Sequence, residues 1–577
     1  MKNMSVNRRT VLTGTVALGT VGLLAACGKK TDIKDAGTSA SSADEAVKNV
    51  KVNEQPHSNL KQGGVLNLAQ QALGPNFNTM TQSGYTASNI LVMSAVNVPS
   101  GPGFFNLSPA GEASINTDFL EEYKAETKDG VQTITLKLNK KAKFNDGTPM
   151  DIDAIRAMAS VYAADSPFAD EVYANEQWAN AGTIEEVDGD KFHVKVTSKK
   201  PYYPADYGMY SQAVHPAVVA SKEMFTDGFN SKVENFKYFA GPYKVESWNS
   251  SEKTLTFVPN ENWWGENKGM LDKIVWRQMD SEAQRAAVKN GELDAMIFST
   301  AATYKNMQGV KGTEIRPGQL TSCTYLELNP NNIPDLALRR AIATAVNREQ
   351  MAEIRFKELG WKETMPGSII AMPWQKGYAD AFSAALPASN SVEAAQKILE
   401  EAGYTKSGDF YAKDGKTAEF SLTTFGSDAT TTALMQMIDA QMKKVGIKMG
   451  NDVQPASSYQ TVNASKSFGA LVNAIAITND PTSSASYLFA TNYYEGAGSK
   501  EIDDMIEKLN ATESMDERYK LTQEIEKKYA ETSCVYVPYL NGPDYYVVKS
   551  ELANFGPALF KMAYNDAAYW TMVGWQK

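Results

Sequence analysis

Histidine and cysteine, on which much catalytic and metal chemistry depends, are scarce in this sequence. Its 577 residues contain three histidines and three cysteines. His57, His193 and His215 are far apart in the chain, and no pair of them has the spacing of metal ligands. The motifs G-x-S-x-G and G-x-G-x-x-G and the phosphate-binding P-loop are also absent. We therefore predict that the chain is not an enzyme, uses no metal or cofactor, and has no ATPase of its own.

Positive charge is in deficit as well. The chain carries 57 lysines and arginines against 67 acidic residues, a formal charge of −10. This balance argues against nucleic acid or anionic lipid headgroups as partners. With 43% hydrophobic and 21% charged residues the composition is that of a globular protein, and 577 residues are too many for one compact core.

Long apolar runs are missing except at the N-terminus. Lys2, Arg8 and Arg9 precede an apolar run over residues 11–26, which is the pattern of an export signal. The run ends in Leu-Ala-Ala-Cys-Gly, and this sequence resembles the bacterial lipoprotein box with Cys27 as the lipidated residue. We predict a lipoprotein signal peptide over residues 1–26 and a protein tethered to the outer face of the cell membrane. A plain signal peptide is the alternative, and the Arg8-Arg9 pair leaves twin-arginine export open.

The next segment lacks large apolar residues. Residues 28–62 are rich in Ser, Ala, Asp, Lys and Asn, so we predict that residues 27–62 comprise the lipidated cysteine and a flexible linker. The remaining cysteines, Cys323 and Cys534, allow one disulfide. They lie in different predicted elements, which favours two buried thiols over a bridge.

The clearest pattern of secondary structure lies between residues 239 and 294. Alternating apolar and polar residues predict strands at 243–248, 254–258 and 273–279. A helix is predicted at 282–289, ending at Asn290-Gly291.

Four short motifs occur in order within this region: Gly241-Pro242-Tyr243, the turn from Asn260 to Gly265, Leu271-Asp272-Lys273-Ile274, and Gly291-Glu292-Leu293-Asp294. Their order resembles the solute-binding proteins of oligopeptide and dipeptide ABC transporters. Asn145-Asp146-Gly147-Thr148-Pro149 is similar to another motif of that family. The resemblance implies an α/β, two-lobed, periplasmic-binding-protein-like type II fold with an extra domain, an interlobe ligand cleft and a hinge.

The same resemblance divides the chain. Residues 63–320 are expected to form lobe I with an extra subdomain, 321–530 lobe II, and 531–577 a return to lobe I. Further predicted strands lie at 65–69, 133–139, 191–198, 323–329, 416–425 and 535–539, and further predicted helices at 151–162, 335–354, 391–403, 430–445 and 515–532.

Two parts of the chain correspond to the ligand site of that family. The backbone before Leu73-Gly74-Pro75 implies Gln70, Gln71 and Ala72 as ligand contacts, although a surface loop fits equally well. The Gly/Pro-rich stretch 359–378 contains Trp374, which could stack on a ligand or simply pack. The remaining candidates implied by the resemblance are Asn473, Ala474, Ile475, Ala476, Ile477, Asn479, Asp480 and Tyr493.

One of these positions departs from the family. Ile477 stands where peptide binders have the aspartate that pairs with the peptide's α-amino group. Either Asp480 replaces it through a shifted loop, or the ligand is held without that anchor, as a longer peptide or an uncharged solute would be. A buried strand fits residues 474–477 equally well.

The resemblance implies an extracytoplasmic substrate-binding lipoprotein of an ABC importer. A monomer would capture peptides and deliver them to a membrane permease, whose ATPase is another chain. The same fold could bind an oligosaccharide, a metal chelate, haem or a peptide signal. An exported hydrolase is the alternative from another class.

Overall fold

The computed structural model describes residues 40, 42–50, 52–101, 103–173, 175–205, 208–230, 232–426, 428–455, 458–491, 497–563 and 566–577. It divides into two compact units. Of the described residues, the first unit comprises Val50–Gly318 and Asp544–Lys577, and the second comprises Gln319–Pro543 together with residues 40 and 42–49. No helix among the described residues is both long enough and apolar enough to cross a membrane.

The described chain up to residue 319 contains short helices and many strands. Its helices are α1 (Ala43–Asn49), α2 (Ala87–Met93), α3 (Ile152–Tyr162), α4 (Glu176–Ala179), α5 (Lys222–Asp227), α6 (Ser281–Lys289) and α7 (Ala301–Met307). Its strands are β1 (Val65–Gln70), β2 (Phe105–Leu107), β3 (Ala113–Ile115), β4 (Leu120–Lys128), β5 (Val131–Leu138), β6 (Ala181–Val187), β7 (Asp190–Ser198), β8 (Tyr243–Asn249), β9 (Thr254–Pro259), β10 (Lys273–Gln278), β11 (Ala295–Phe298) and β12 (Thr313–Gln319).

Two four-stranded sheets organise the first unit, in the orders β1-β10-β9-β8 and β4-β5-β7-β6. Strand β1 runs parallel to β10, and the neighbouring pairs β10–β9 and β9–β8 are antiparallel. In the second sheet, every other residue of β5 is buried, as expected for a strand with one face on a core. The apolar sides of both sheets join one hydrophobic cluster, which includes Leu66, Leu136, Val194 and Phe257.

The sequence motifs of this unit hold one another in place. The Tyr243 hydroxyl accepts a hydrogen bond from the Leu271 backbone N–H at 3.1 Å. The Asn260 side chain donates to the Gly241 carbonyl and to the Asn145 side-chain oxygen at 2.9 and 2.8 Å. Three neighbouring motifs between residues 241 and 274 therefore meet the distant motif of Asn145 in one packed region, and their role is structural.

The second unit contains longer helices. After residue 319 the helices are α8 (Leu336–Ala345), α9 (Arg348–Phe356), α10 (Ala381–Ala385), α11 (Val392–Glu401), α12 (Ala429–Val445), α13 (Tyr459–Ser465), α14 (Ala485–Phe489), α15 (Lys500–Ala511) and α16 (Met515–Thr532). The strands are β13 (Ser322–Leu328), β14 (Thr405–Ser407), β15 (Phe410–Lys413), β16 (Lys416–Thr417), β17 (Glu419–Phe425), β18 (Lys448–Gln454), β19 (Ala470–Ala476) and β20 (Tyr536–Leu540).

A five-stranded sheet in the order β18-β17-β19-β13-β20 is the centre of this unit. All seven residues of β13 are buried, and the strand is antiparallel to both of its neighbours. Strand β17 runs parallel to β18 and to the start of β19. Because β13 is covered on both faces, its polar residues Ser322, Thr324 and Glu327 are buried together with its apolar ones.

Two elements of this unit that were predicted to be continuous are each divided in two in the structure. The helix predicted at 335–354 is interrupted between α8 and α9, because Asn347 turns its side-chain oxygen to the Gln350 backbone N–H at 2.9 Å and starts a new helix. The strand predicted at 416–425 is also broken. Its first two residues form β16 in a separate three-stranded sheet with β14 and β15, and only Glu419–Phe425 join the central sheet.

The chain returns to the first unit after residue 543, as β21 (Pro543–Lys549), β22 (Leu552–Ala553), α17 (Tyr569–Met572) and β23 (Gly574–Trp575). Strand β21 lies between β11 and β12 in a three-stranded sheet. Residues 531–543, expected in the return segment, belong instead to the second unit, since β20 pairs with β13.

The structure also differs from the expected flexible linker. Residues 43–49 form α1, and residues 53–62 are hydrogen-bonded to the first unit. The Gln55 N–H donates to the Asn554 side chain at 2.9 Å, and the Lys61 N–H donates to the Trp575 carbonyl at 2.7 Å. The partners lie hundreds of residues away, so the polar composition of this stretch gave no indication of them. Cys27 and the predicted signal peptide lie outside the described residues.

The two described cysteines are free and buried, which confirms the expectation of thiols rather than a bridge. Burial raises the pKa of both thiols, that of Cys534 to about 12. Because the thiolate is the reactive form, we expect neither to react with a thiol-specific reagent such as DTNB in the native protein at pH 8. Both should react after denaturation in guanidinium, measured on the chain from residue 28 so that Cys27 is absent. Fast labelling of either thiol before unfolding would contradict the burial of that site.

Candidate functional site

The candidate site in the second unit is the exposed end of β19. This strand pairs with β13 from Ser322↔Ala476 to Leu328↔Ala470. Just beyond it, the Ile477 backbone N–H donates to the Thr321 carbonyl at 2.9 Å. Backbone groups of a strand alternate in direction, so residues in step with Ile477 bond to β13. The backbone groups of Val472, Ala474 and Ala476 therefore point to the opposite edge.

That opposite edge loses its partner part-way along the strand. Strand β17 pairs with β19 only at Ala470 and Leu471. No strand in the described part of the chain pairs with this edge from residue 472 to 476. The Ala474 N–H is taken by the Asn473 side-chain oxygen at 2.9 Å. Within the described ranges, nothing bonds to the Ala474 carbonyl or to either backbone group of the exposed Ala476, and we call this short free edge the β19 edge.

The first unit has a comparable strand end at β1. The Gln70 carbonyl accepts from the Met279 N–H at 2.9 Å on the side of β10. By the same alternation, the backbone of Ala69 and Gln71 points away from β10. The side chains here are polar and tied together: Gln71 donates to the Ser281 hydroxyl at 3.2 Å, and the Ser88 hydroxyl donates to Gln70 at 3.3 Å.

Ile477 and Asp480 are both buried, with 4% and 6% of their surface exposed. The Asp480 carboxyl accepts hydrogen bonds from the Thr482 backbone N–H and hydroxyl, at 3.0 and 2.9 Å. Burial raises its pKa, against the lowering effect of these bonds and of Arg518. The carboxyl is thus engaged within its own turn and does not stand in for an acid at position 477.

Asn473 and Ile475 lie inside the unit. The Asn473 amide donates to Glu327 at 2.8 Å and to Asn463 at 3.1 Å, and its oxygen accepts from the Tyr459 hydroxyl at 2.7 Å. These bonds hold the backbone of β19 in register where β17 leaves it. Ile475 is buried in the core of the unit.

Trp374 lies beside the end of β19 through its neighbour Gln375. The Gln375 amide donates to the carbonyls of Thr478 and Asn479 at 2.9 and 3.3 Å, and its oxygen accepts from the Met372 N–H at 2.7 Å. Trp374 is buried and donates through its indole nitrogen to Gln319 at 3.2 Å. Gln375, which the sequence did not indicate as a site residue, therefore links the segment of Trp374 to Asn479, just beyond the end of β19. Tyr493 and its loop lie outside the described residues.

The model of "Bacterial extracellular solute-binding proteins, family 5 Middle" matches residues 116–496, well over half of the chain. The chain belongs to this family. It is similar to the oligopeptide-binding protein OppA of Mycobacterium tuberculosis, with 26% identity over 524 residues, covering 88% of this chain and 84% of the relative.

Solved structures share the fold of this family 5 protein. A periplasmic EDTA-binding protein, EppA, matches with a TM-score of 0.79 and 22% identity, covering 92% of this chain and 99% of the other. Lactococcal OppA in complex with an endogenous peptide, in its closed conformation, matches with a TM-score of 0.68 and 17% identity, covering 89% of this chain and 100% of the other. At these identities the likeness establishes the fold alone.

A buried acid supports the Trp374 segment of this family 5 protein. The Glu526 carboxyl, on α16, accepts from the Ser368 hydroxyl at 2.8 Å and from the Ile369 N–H at 2.8 Å. Burial raises its pKa to about 7, with the two hydrogen bonds acting in the opposite direction. Nothing in the local sequence distinguishes Glu526 from the exposed acids of α16. Among the described residues, no cluster of His, Cys, Asp and Glu could hold a metal ion.

Replacing Gln375 with alanine is expected to loosen the end of β19. The change removes the donor to Thr478 and Asn479 and leaves the buried Met372 N–H without its acceptor, at a cost of about 1–3 kcal/mol. Hydrogen exchange should accelerate at residues 372 and 477–480 more than at β13. Gln396, which also bonds a backbone carbonyl but on the surface between α11 and α12, is the matched control. Gln396→Ala should change neither exchange rate, and equal effects of both variants would refute this role of Gln375.

Proposed function

We propose that this chain is the extracytoplasmic substrate-binding protein of an ABC importer for peptides, which it binds as an added strand. The observation that carries the proposal is the β19 edge. It offers the carbonyl of Ala474 and the N–H and carbonyl of Ala476 in one line, and an extended peptide carries matching groups on its own backbone. Recognition of the main chain tolerates many side chains, as a general peptide importer requires.

Two further observations support this reading. The similar OppA of M. tuberculosis is named an oligopeptide-binding protein, and its likeness extends over 88% of this chain. The lactococcal OppA structure holds an endogenous peptide on the same fold.

The lipid anchor and the partners also belong to the proposal. Cys27 is inferred to carry lipid after removal of residues 1–26, which would tether the protein to the outer face of the membrane. Stable anchoring of this kind takes two or more acyl chains. The protein would act as a monomer that hands its solute to a permease whose ATPase is a separate chain.

A metal chelate is the second candidate solute, favoured by the likeness to the EDTA-binding EppA. A chelate brings its own metal ligands, so it needs no His/Cys/Asp/Glu cluster in the protein. Oligosaccharide, haem, a peptide signal and an exported hydrolase have no comparable observation in their favour.

The test is native mass spectrometry of the purified chain from residue 28 to 577, followed by denaturation and sequencing of whatever is released. Peptides of mixed sequence would support the proposal and give their length. An empty protein would be titrated with a pentapeptide pool and with Fe(III)-EDTA in parallel by calorimetry. Binding of Fe(III)-EDTA without peptide binding would overturn the peptide assignment in favour of the chelate. Hydrolysis of the pool would overturn the non-enzymatic function.

A further inference from the structure

Strands β17 and β19 separate at the start of the β19 edge. Among the described residues their last pair is Thr423↔Leu471, whereas β17 stays paired with β18 up to Phe425. Counting on from the last pair would set Phe425 opposite Asn473, and strand alternation directs the backbone groups of Phe425 toward β19. An opening between the two strands therefore begins beside Asn473 and Ala474, inside the second unit.

Tyr459, the first residue of α13, spans this opening. Its hydroxyl donates to the Asn473 side-chain oxygen at 2.7 Å, the same atom that accepts from the Ala474 N–H at 2.9 Å. Its ring packs edge-on against Phe425, with 5.2 Å between the ring centroids and 82° between the ring planes. Because the Ala474 N–H points to the outer side of β19, the hydroxyl that shares its acceptor lies at that edge. Tyr459 thus contacts the β19 edge with its hydroxyl and the end of β17 with its ring.

Helix α13 holds the Tyr459 ring in a fixed place. One turn further along the helix, the Asn463 side chain accepts from the Asn473 amide at 3.1 Å, so two side chains of α13 bond to the same residue of β19. Burial raises the pKa of Tyr459 to about 12, so its hydroxyl stays protonated and remains a donor at neutral pH. Tyr459 and Phe425 are both only partly buried, which leaves part of their surface accessible to a ligand.

The polar groups around the two rings already have partners. Glu327 of β13 is paired with Lys466 at 3.5 Å. Asp452 of β18 accepts from the Thr423 hydroxyl at 2.9 Å. Phe425 packs on an apolar cluster that consists of Val462, Phe468 and Leu471. A ligand side chain placed here would therefore meet apolar surface rather than an available charge.

We propose that Tyr459 and Phe425 form a subsite for one side chain of the bound peptide, and that this subsite selects an aromatic or large aliphatic side chain. The assignment rests on the proposed peptide-binding function. An added strand cannot bond beyond Ala474, whose N–H is taken by Asn473, and Tyr459 lies across the opening at that point. The peptide residue at this limit therefore lies beside the two rings. They offer apolar surface and the edge-to-face geometry that aromatic side chains prefer.

The experiment is a positional series measured by calorimetry. A single phenylalanine replaces each residue of an alanine pentapeptide in turn, and the all-alanine peptide is the reference. In the wild type, phenylalanine at one position should strengthen binding by about tenfold or more, because its side chain becomes buried there. Tyr459→Ala should remove this gain and leave the affinity for the all-alanine peptide at the wild-type value. Tyr459→Phe, which keeps the ring, should keep the gain.

Two further variants control this comparison. Tyr411→Ala is the matched control, because the Tyr411 hydroxyl also donates to a side-chain oxygen, that of Glu400 at 2.7 Å, but in the separate sheet of β14, β15 and β16. It should leave the positional series as in the wild type. Phe425→Ala changes the subsite from β17 without removing the bond between Tyr459 and Asn473, and it should reduce the same gain. Thermal unfolding checks that each variant folds, and Phe425→Ala decides the question if Tyr459→Ala does not fold.

The outcomes separate the subsite from the function. A wild type that binds the alanine peptide but gains from phenylalanine at no position would overturn the subsite and leave peptide binding intact. A gain that persists in folded Tyr459→Ala and Phe425→Ala would also overturn it. So would an equal loss for every peptide of the series, since general damage to β19 does not discriminate between positions. A wild type that binds neither the series nor the mixed pentapeptide pool would overturn peptide binding, and the subsite with it.

Discussion

Replacing Arg518 with alanine is expected to lower the free energy of unfolding of the second unit by about 3–5 kcal/mol. Arg518 is 1% exposed on α16. Its guanidinium donates to the Thr482 hydroxyl at 2.8 and 3.1 Å and to the Leu509 carbonyl. The alanine variant leaves the Leu509 carbonyl and the Thr482 hydroxyl without this donor, and leaves the buried Asp480 without its nearest positive charge. Urea unfolding followed by circular dichroism measures the change.

Two comparisons make this prediction specific. Lys500 and Asp504 form an exposed ion pair one turn apart on the neighbouring α15, and Lys500→Ala should cost at most about 0.5 kcal/mol. Combining Arg518→Met with Asp480→Asn should recover part of the loss, because no unpaired charge then remains buried. A loss below about 1 kcal/mol for Arg518→Ala would contradict the contribution of this residue.

Replacing Ala476 with proline is expected to weaken peptide binding by about 10- to 100-fold. Proline removes the outward N–H of the β19 edge and leaves one carbonyl of a bound peptide unsatisfied, a cost of about 1–3 kcal/mol. The Ala476 N–H does not bond to β13, so the sheet itself keeps its hydrogen bonds. The measurement is calorimetric titration with the pentapeptide pool, after thermal unfolding has established that the variant folds.

Val453 offers a matched proline control in the same sheet. It lies on the outermost strand β18 and is 52% exposed. The Lys448 N–H donates to the Ala418 carbonyl and the Gly426 N–H donates to the Gln454 carbonyl, so the even-numbered residues of β18 bond toward β17. The odd-numbered residues between them direct their N–H groups to the other side, toward solvent. Val453→Pro should therefore reduce stability as much as Ala476→Pro and leave peptide binding unchanged. Equal affinity of the two variants would remove the β19 edge from the binding site.

Local signals predicted much of the fold. Asp151 and Ser391 cap the helices that they were expected to start, and Gly446 ends α12 with a φ of 95°. The resemblance carried by residues 241–294 led to the family that the comparisons establish. Two interruptions were not predicted. The helix breaks at Asn347 because its side chain bonds the backbone of Gln350, and the strand breaks at Ala418 because its backbone bonds to Tyr411 and Lys448.

The candidate site was only partly visible in the sequence. Residues 473–480 were located by resemblance, but which backbone groups face outward depends on the pairing of β19 with β13, a strand about 150 residues earlier in the chain. Gln375 and Glu526 were missed because their partners are backbone atoms and hydroxyls of distant segments.

The first unit is built from two separate stretches of the chain, and this affects the order in which the units fold. Gln319–Pro543 form one continuous stretch that can fold as soon as it has been made, whereas the first unit lacks β21 and Trp570 until residues 544–577 follow. Leu60 pairs with Gln576, so an early segment finds its partner only after almost the whole chain has been made. Contacts between residues so far apart in the sequence slow folding. The second unit can therefore be complete before the first, whose last strands and last helix come from residues 544–577.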